Sequence, residues 1–390
     1  MNLRNTRNTL LALTGLAALF VCILACTSFS PDDKQILYST FDPQARSMGV
    51  AVYDRSSHKS RLLFTSKAML KQGREPQPVM MRSQWLADGK NVMITWVPLT
   101  ESKEDEGMNT FALISLDGKE PVRLLHLAGM KDASSFAYYP LPMAGTRAFV
   151  NTESNTFTLD LTTGETRVRT NSHPLMLFAS PVPGRFGFME QVGDDQIECG
   201  MLNPETMNQD WKVRLEDNKS AGETFMAFSP VGKKVVFSPE KGKPVLQVYE
   251  EGQSPKLVPV PAAETEEMGL GQVEFSADGR SLVVAFQSKA EGKPGSTFGI
   301  IELPLDGRPP TRTDLIRGAE IDKEKSLVFF QFGLSHDGKA LAVSSAYLAA
   351  ANEKFRAEDC ALFIVDLASA KRTVAKVPIP LPVGGGALIK

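Results

Sequence analysis

Four cysteines carry the side chains best suited to covalent chemistry, and their positions predict different roles. Cys22 and Cys26 lie in an apolar N-terminal stretch, whereas Cys199 and Cys360 lie far apart in runs that are typical of β-strands. The sequence has no Cys-x-x-Cys pair and no Cys/His spacing of the kind that binds zinc. We therefore expect Cys199 and Cys360 to be buried, unpaired thiols.

Motifs for catalysis and cofactor binding are absent from the sequence. Residues 295–299 read Gly-Ser-Thr-Phe-Gly, which places Ser296 at the wrong position for a nucleophile elbow. Residues 269–271 read Gly-Leu-Gly and lack the third glycine of a dinucleotide fingerprint. Walker A, His-Glu-x-x-His and EF-hand patterns are not found either. We predict no catalytic residue, no cofactor and no metal ligand.

The first 25 residues are typical of a secretory signal peptide. Arg4 and Arg7 precede an almost wholly apolar stretch over residues 10–25, and residues 1–8 contain no acidic residue. A positive head followed by an apolar stretch is the pattern of an export signal, and a transmembrane helix usually has ~20 apolar residues. The N-terminus therefore predicts export from the cytoplasm.

Residues 23–26, Ile-Leu-Ala-Cys, resemble the lipobox of bacterial lipoproteins. The resemblance implies cleavage after Ala25 and lipidation of Cys26, and several acyl chains on one residue anchor a protein stably. Thr27 follows the cysteine, whereas Asp at that position resembles an inner-membrane retention signal of Gram-negative lipoproteins. The resemblance thus favours the outer membrane, facing the periplasm, and the alternative is an uncleaved signal anchor in the inner membrane. Residues 27–34 are mostly polar with one Pro, and we predict a short tether over residues 26–34.

From Gln35 onward the sequence predicts an all-β fold with a repeated unit. Short runs rich in β-branched and aromatic residues alternate with turn signals. An apolar strand, a tight turn and a second strand recur roughly every 40–60 residues, close to the ~40–50 residues of a propeller blade. In these turns Asp can bond its own backbone and Gly supplies a positive φ. The residues assigned to these structural turns are Asp88, Gly89, Gly232, Asp278, Gly279, Asp337 and Gly338.

The repeats resemble the Ser-Pro-Asp-Gly-Lys repeat of TolB-like propellers, which also occurs in the propeller domains of prolyl oligopeptidase-type peptidases. The resemblance implies a single β-propeller over residues 35–390. Because a second hairpin follows each turn, we predict seven four-stranded blades, which span about 35–66, 78–127, 134–170, 174–216, 223–259, 270–316 and 326–377.

The first predicted blade lacks an inner strand. It begins at Gln35, which matches the second strand of the other repeats, while residues 378–390 lie beyond the seventh blade. We predict that this tail of residues 378–390, which includes Ala387-Leu388-Ile389, supplies the missing strand, so that N- and C-terminal strands close the ring in one blade. Such pairing would remove exposed sheet edges.

Charge and loops give the functional expectation. The formal net charge is −2, which does not fit a nucleic-acid-binding protein. The three longest inter-strand loops, 97–108, 287–297 and 346–359, should protrude from one face and form an interaction surface. We predict an envelope-anchored, non-enzymatic scaffold that binds a protein or glycan partner. The alternatives are a propeller hydrolase or lactonase with a divalent metal at the axis, and a regulatory propeller like the gating domain of the peptidases.

Overall fold

The structure of the 390-residue chain is a computed structural model. The residues that it describes are 27–42, 47–65, 79–98, 110–117, 123–126, 139–143, 147–151, 155–170, 175–192, 196–215, 226–237, 244–262, 266–290, 297–316, 326–348, 360–369 and 372–378.

The described residues form seven four-stranded antiparallel sheets, and each sheet is made of four strands that are consecutive in sequence. The first three sheets contain β1 (Ser28–Phe29), β2 (Gln35–Asp42), β3 (Ser47–Asp54), β4 (Lys59–Thr65), β5 (Val79–Trp85), β6 (Asn91–Pro98), β7 (Thr110–Ser115), β8 (Arg123–His126), β9 (Tyr139–Pro142), β10 (Arg147–Asn151), β11 (Asn155–Asp160) and β12 (Thr166–Thr170). The other four contain β13 (Leu175–Ala179), β14 (Phe186–Gln191), β15 (Ile197–Leu202), β16 (Gln209–Leu215), β17 (Met226–Phe228), β18 (Lys234–Phe237), β19 (Val245–Glu250), β20 (Lys256–Pro259), β21 (Glu266–Phe275), β22 (Ser281–Ala290), β23 (Thr297–Pro304), β24 (Thr311–Ile316), β25 (Ser326–Leu334), β26 (Ala340–Leu348), β27 (Cys360–Asp366) and β28 (Val374–Pro378).

The sheets are arranged as the blades of a ring. First strands of neighbouring blades contact each other at the joints β1–β5, β5–β9, β17–β21, β21–β25 and β25–β1, so the first strand of each blade is the inner one. The contact between β25 and β1 closes the ring. The fold is therefore a seven-bladed β-propeller, which confirms the predicted all-β class and blade number.

Burial follows the position of each strand within its blade. In the fourth blade the third strand, β15, is buried along its whole length, because both of its faces pack against neighbouring blades. The outer strand β16 alternates between exposed and buried residues, as expected where one face meets water. The apolar clusters lie between blades. One joins the first blade to the seventh through Phe29, Ile36, Ala340, Ala342 and Leu362.

The strand order defines two faces of the ring. Connections between first and second strands, and between third and fourth strands, lie on one face, which we name the turn face. Connections between second and third strands, and between successive blades, lie on the other, the loop face. The three long loops join β6 to β7, β22 to β23 and β26 to β27, so all start from the loop face, as expected. Residues 99–109, 291–296 and 349–359 themselves lie outside the described residues.

The predicted closure of the first blade is wrong. Its inner strand is β1, where Ser28 pairs with Leu37 and Phe29 with Ile36. Residues 28–34 therefore belong to the propeller, although the sequence predicted a tether over 26–34 and an inner strand from the tail 378–390, of which residues 379–390 lie outside the described residues. A two-residue strand shows no alternation of apolar and polar residues, so periodicity could not reveal it.

Candidate functional site

The first-to-second-strand turns that contain Asp share one hydrogen-bond pattern, seen most completely in the sixth blade. The Ser276 hydroxyl donates to the Asp278 carboxylate at 2.7 Å and accepts from the backbone N–H of Ser281 at 2.9 Å. Asp278 also accepts from the N–H of Arg280 at 3.0 Å. The hydrogen bond from Ser276 and this backbone N–H hold the pKa of Asp278 below its usual value. The carboxylate is thus used by the fold.

Other predicted turn residues lie in similar turns. In the seventh blade Asp337 accepts from the N–H of Lys339 and from the Ser335 hydroxyl, and these bonds lower its pKa. In the second blade Asp88 accepts from the N–H groups of Lys90 and Asn91 at 2.8 and 3.0 Å. The turn glycines have a positive φ, between 62° and 77°: Gly89, Gly232, Gly279 and Gly338.

Turn glycines also lie against the turn of the preceding blade, which the sequence did not reveal. A β-carbon on Gly279 would lie 2.7 Å from the Ser229 hydroxyl, and one on Gly338 would lie 2.9 Å from the β-carbon of Ala277. Gly89 approaches Pro31 of the first blade, at 3.4 Å from an added β-carbon. Turns of adjacent blades therefore stack at three joints of the turn face: first to second, fifth to sixth, and sixth to seventh.

The first blade contains a copy of the turn that sequence reasoning missed. Residues 29–34 read Phe-Ser-Pro-Asp-Asp-Lys, which matches the Phe-Ser-Pro-Val-Gly-Lys of residues 228–233 except at the two positions before Lys. Ser30 donates to Asp32 at 2.8 Å and accepts from the N–H of Gln35, as Ser276 does with Asp278 and Ser281. The signal that could have found it is this six-residue match.

Asp33 occupies the glycine position of this turn, with a φ of 57°. Asp tolerates this conformation better than most residues, and it adds a side chain that glycine lacks. Its carboxylate accepts from the backbone N–H groups of His336 and Asp337 in the seventh blade, at 2.8 and 3.0 Å. The His336 ring nitrogen Nδ1 also lies 2.8 Å from this carboxylate. Asp33 thus ties the first blade to the last.

Two more contacts hold the first strand in place. The Thr27 side chain is buried and its Oγ1 lies 2.5 Å from the Ser344 Oγ on β26. The Trp85 indole N–H on β5 donates to the carbonyl of Ser28 at 3.2 Å. Strand β1 is therefore bonded to the blades on both sides.

The sixth and seventh blades meet through a different contact at the axis. The Gln272 side chain on β21 donates from Nε2 to the carbonyl of Phe332 at 2.8 Å and accepts from its N–H at 3.1 Å. Both groups lie on the free inner edge of β25. Gln272 Nε2 also lies 3.2 Å from Glu274, and burial raises the pKa of Glu274 to about 7 despite this hydrogen bond.

Other residues with chemically versatile side chains are distributed over the ring. Cys199 is buried and unpaired, as predicted. Trp85 and Trp211 are both buried in inter-blade clusters, and His58 lies beside the Tyr53 hydroxyl at 2.9 Å. Within the described ranges no three His, Cys, Asp or Glu side chains are grouped closely enough to hold a metal. Cys26 lies outside the described residues, and no helix within them has the length and apolarity to cross a membrane.

Comparison with known proteins identifies the fold alone. No protein-family model and no curated protein matches the sequence. A prolyl endopeptidase structure matches with a TM-score of 0.50 and 13% identity over 85% of this chain, which spans about half (47%) of that chain. Kuenenia stuttgartiensis hydrazine synthase matches at 0.49, with 11% identity over 84% of this chain and 95% of that chain. An oligogalacturonate lyase in complex with manganese matches at 0.46, with 12% identity over 91% and 99%.

Proposed function

We propose that the chain is a bacterial lipoprotein, anchored in the cell envelope through Cys26, whose propeller is a non-enzymatic scaffold for a protein or glycan partner. The anchor places it on a membrane, with the outer membrane facing the periplasm as the favoured location. We also propose that the repeats of the propeller are of the TolB-like type.

The stacked turns of the turn face are the observation that carries the scaffold proposal. Their carboxylates and hydroxyls are occupied by hydrogen bonds within the turns, as Asp278 and Asp337 illustrate. Between the first and second, the fifth and sixth, and the sixth and seventh blades, neighbouring turns touch and hold each other. A surface fixed in this way loses little conformational entropy when a partner binds.

The fold also bears on the sorting argument. Thr27 has a structural role, because its side chain is buried against Ser344 of the seventh blade. Its identity can therefore reflect ring closure as well as membrane sorting, which means that the location needs direct measurement by membrane fractionation.

The anchor is tested by the mass of the mature N-terminus. The full chain is expressed in a bacterial host with its own signal, and the N-terminal peptide is analysed by mass spectrometry. We expect cleavage after Ala25 and a lipid mass on Cys26, both absent from the Cys26→Ser variant. An unmodified Cys26 in an uncleaved chain would support the signal-anchor alternative.

The scaffold role is tested by crosslinking in intact bacterial membranes, followed by affinity purification. We expect a partner at a reproducible ratio to the chain, and no divalent ion retained by protein purified without chelators. Recovery of no partner together with one tightly bound divalent ion per chain would overturn the proposal in favour of the metal-dependent hydrolase.

A further inference from the structure

The position of Thr27 fixes where the N-terminal chain meets the ring. Its side chain is bonded to Ser344, and its carbonyl oxygen would lie 2.2 Å from a β-carbon on Gly333 of β25. Thr27 is therefore packed between the first and seventh blades, and it follows Cys26 directly. Consecutive α-carbons are about 3.8 Å apart, so a lipid on Cys26 starts within one residue of the ring.

The direction of β1 determines from which face the anchor leaves. Strand β1 runs from Ser28 to Phe29 and ends in the turn at residues 30–34, which belongs to the turn face. Strand β1 therefore points from Thr27, on its loop-face side, toward the turn face. Extending the β1–β2 register places Thr27 opposite Tyr38, four residues or about 13 Å from Asp42 at the loop-face end of β2.

The direction of β1 argues against the opposite orientation. Because β1 leads from Thr27 toward the turn face, a lipid on the residue before Thr27 is separated from the turn face by β1 itself. Contact between the turn face and the bilayer would require β1 to leave its sheet, with loss of the Thr27, Phe29 and Asp33 contacts to the seventh blade.

We propose that the anchored propeller rests with its loop face on the lipid surface and its turn face toward the aqueous compartment. This inference rests on the proposed lipid anchor. It makes the loop face, which sequence analysis favoured as the partner-binding surface, a membrane-contacting surface, and it leaves the stacked turns open to the partner.

The test uses two pairs of exposed positions at opposite ends of one strand. Ala262 and Gln253 flank β20 on the loop and turn faces, and Gln196 and Thr206 flank β15 in the same way. Each is replaced singly by an azide-bearing amino acid for dye attachment. The lipidated full chains are placed in vesicles of phosphatidylethanolamine and phosphatidylglycerol that carry a headgroup quencher.

We expect at least threefold stronger quenching at Ala262 than at Gln253, and the same order for Gln196 and Thr206. Equal quenching within both pairs, or the reverse order, on chains whose Cys26 carries lipid by mass would overturn the orientation and leave the anchor intact. Chains without lipid on Cys26 would overturn the proposed anchor, and the orientation with it. Circular dichroism of each labelled chain checks that the propeller is folded.

Discussion

Two joints between blades of the ring are held together by different kinds of contact. Between the sixth and seventh blades the chain is continuous, and Gln272 pairs with the backbone of Phe332 at the axis. Between the seventh and first blades no peptide connection exists, and the joint depends on Thr27, Phe29 and Asp33. Since a covalent connection keeps two blades at high effective concentration, the closing joint depends more on its side-chain contacts.

The closing joint also shows how a repeat is adapted to one position in a ring. Every other described copy of the turn has Gly where the first blade has Asp33. That exchange keeps the positive φ and adds a carboxylate that reaches the last blade. Ring closure is thus achieved by a variant of the repeat.

Removing the apolar contact of the closing joint is expected to have the largest effect. Phe29 is 3% exposed and packs across both blades, so Phe29→Ala should lower the free energy of unfolding by about 3–5 kcal/mol. Phe332→Ala at the other joint should lower it by a similar amount and keep the backbone bonds to Gln272. Hydrogen exchange should show early opening of β1 and β2 in Phe29→Ala alone. Unchanged exchange in β1 and β2 would contradict the view that Phe29 holds the ring closed.

The next largest effect is a pH dependence of the free energy of unfolding. It arises at the joint between the sixth and seventh blades, which we call the continuous joint because the chain connects these blades. The pKa of Glu274 rises from 4.5 to about 7 on folding, so the folded chain binds an extra proton between these values. Stability is then full below pH 4.5 and falls as pH rises toward 7, by on the order of 3 kcal/mol. Glu274→Gln should abolish this loss in denaturation curves recorded from pH 5 to 8.

Glu198 on β15 is the matched control for this prediction. Burial opposes its ionisation, but hydrogen bonds from Lys212 and Arg214 outweigh it and lower the pKa of Glu198. Its contribution to stability is present above the unfolded pKa and is lost as pH falls, which is the opposite sign. If Glu274→Gln still loses stability as the pH rises from 5 to 8, the pH dependence belongs to another group.

Loss of the amide at the continuous joint is expected to have a smaller effect. Phe332 is 1% exposed, so Gln272→Ala leaves two backbone groups without their side-chain partner. The free energy of unfolding should fall by about 2 kcal/mol, as measured by urea denaturation. Equal stability of Gln272→Ala and the wild type would mean that water replaces both bonds.

Substitutions of Asp33 can separate its role in the local turn from its role in closing the ring. Asp33→Gly restores the residue of the other copies and relieves a positive φ, which alone would stabilise the turn. Because three contacts to the seventh blade are lost, we expect a net loss of about 1 kcal/mol. Asp33→Asn keeps one acceptor oxygen and should lose less. A gain of stability in Asp33→Gly would show that the carboxylate does not contribute to closure.

Most of this ring can be predicted from the sequence because each turn is specified by residues close together in the chain. The turns at Asp278 and Asp337 need only residues within the turn, so their pattern is visible in the sequence. Blade spans are consequently close to the observed strands. Strand β1 was missed because Asp33 replaces the expected glycine, and the reason for that replacement lies in the seventh blade. Contacts between blades, such as Gln272 with Phe332, join residues 60 apart and leave no local pattern.

The last comparison concerns a difference of about 1 kcal/mol between two variants, and it separates backbone strain from contact between blades. Gly338 and Gly307 both have a positive φ, of 68° and 89°. An added β-carbon on Gly338 would lie 2.9 Å from Ala277, whereas on Gly307 it would meet no described residue within 4 Å. Each Gly→Ala variant should lose about 1–2 kcal/mol from the backbone conformation, and Gly338→Ala about 1 kcal/mol more, because Ala277 must move. Thermal denaturation of both variants measures the difference. Equal losses would mean that the turns of the sixth and seventh blades are not held against each other, and a rigid turn face would then have to depend on the axial contacts alone.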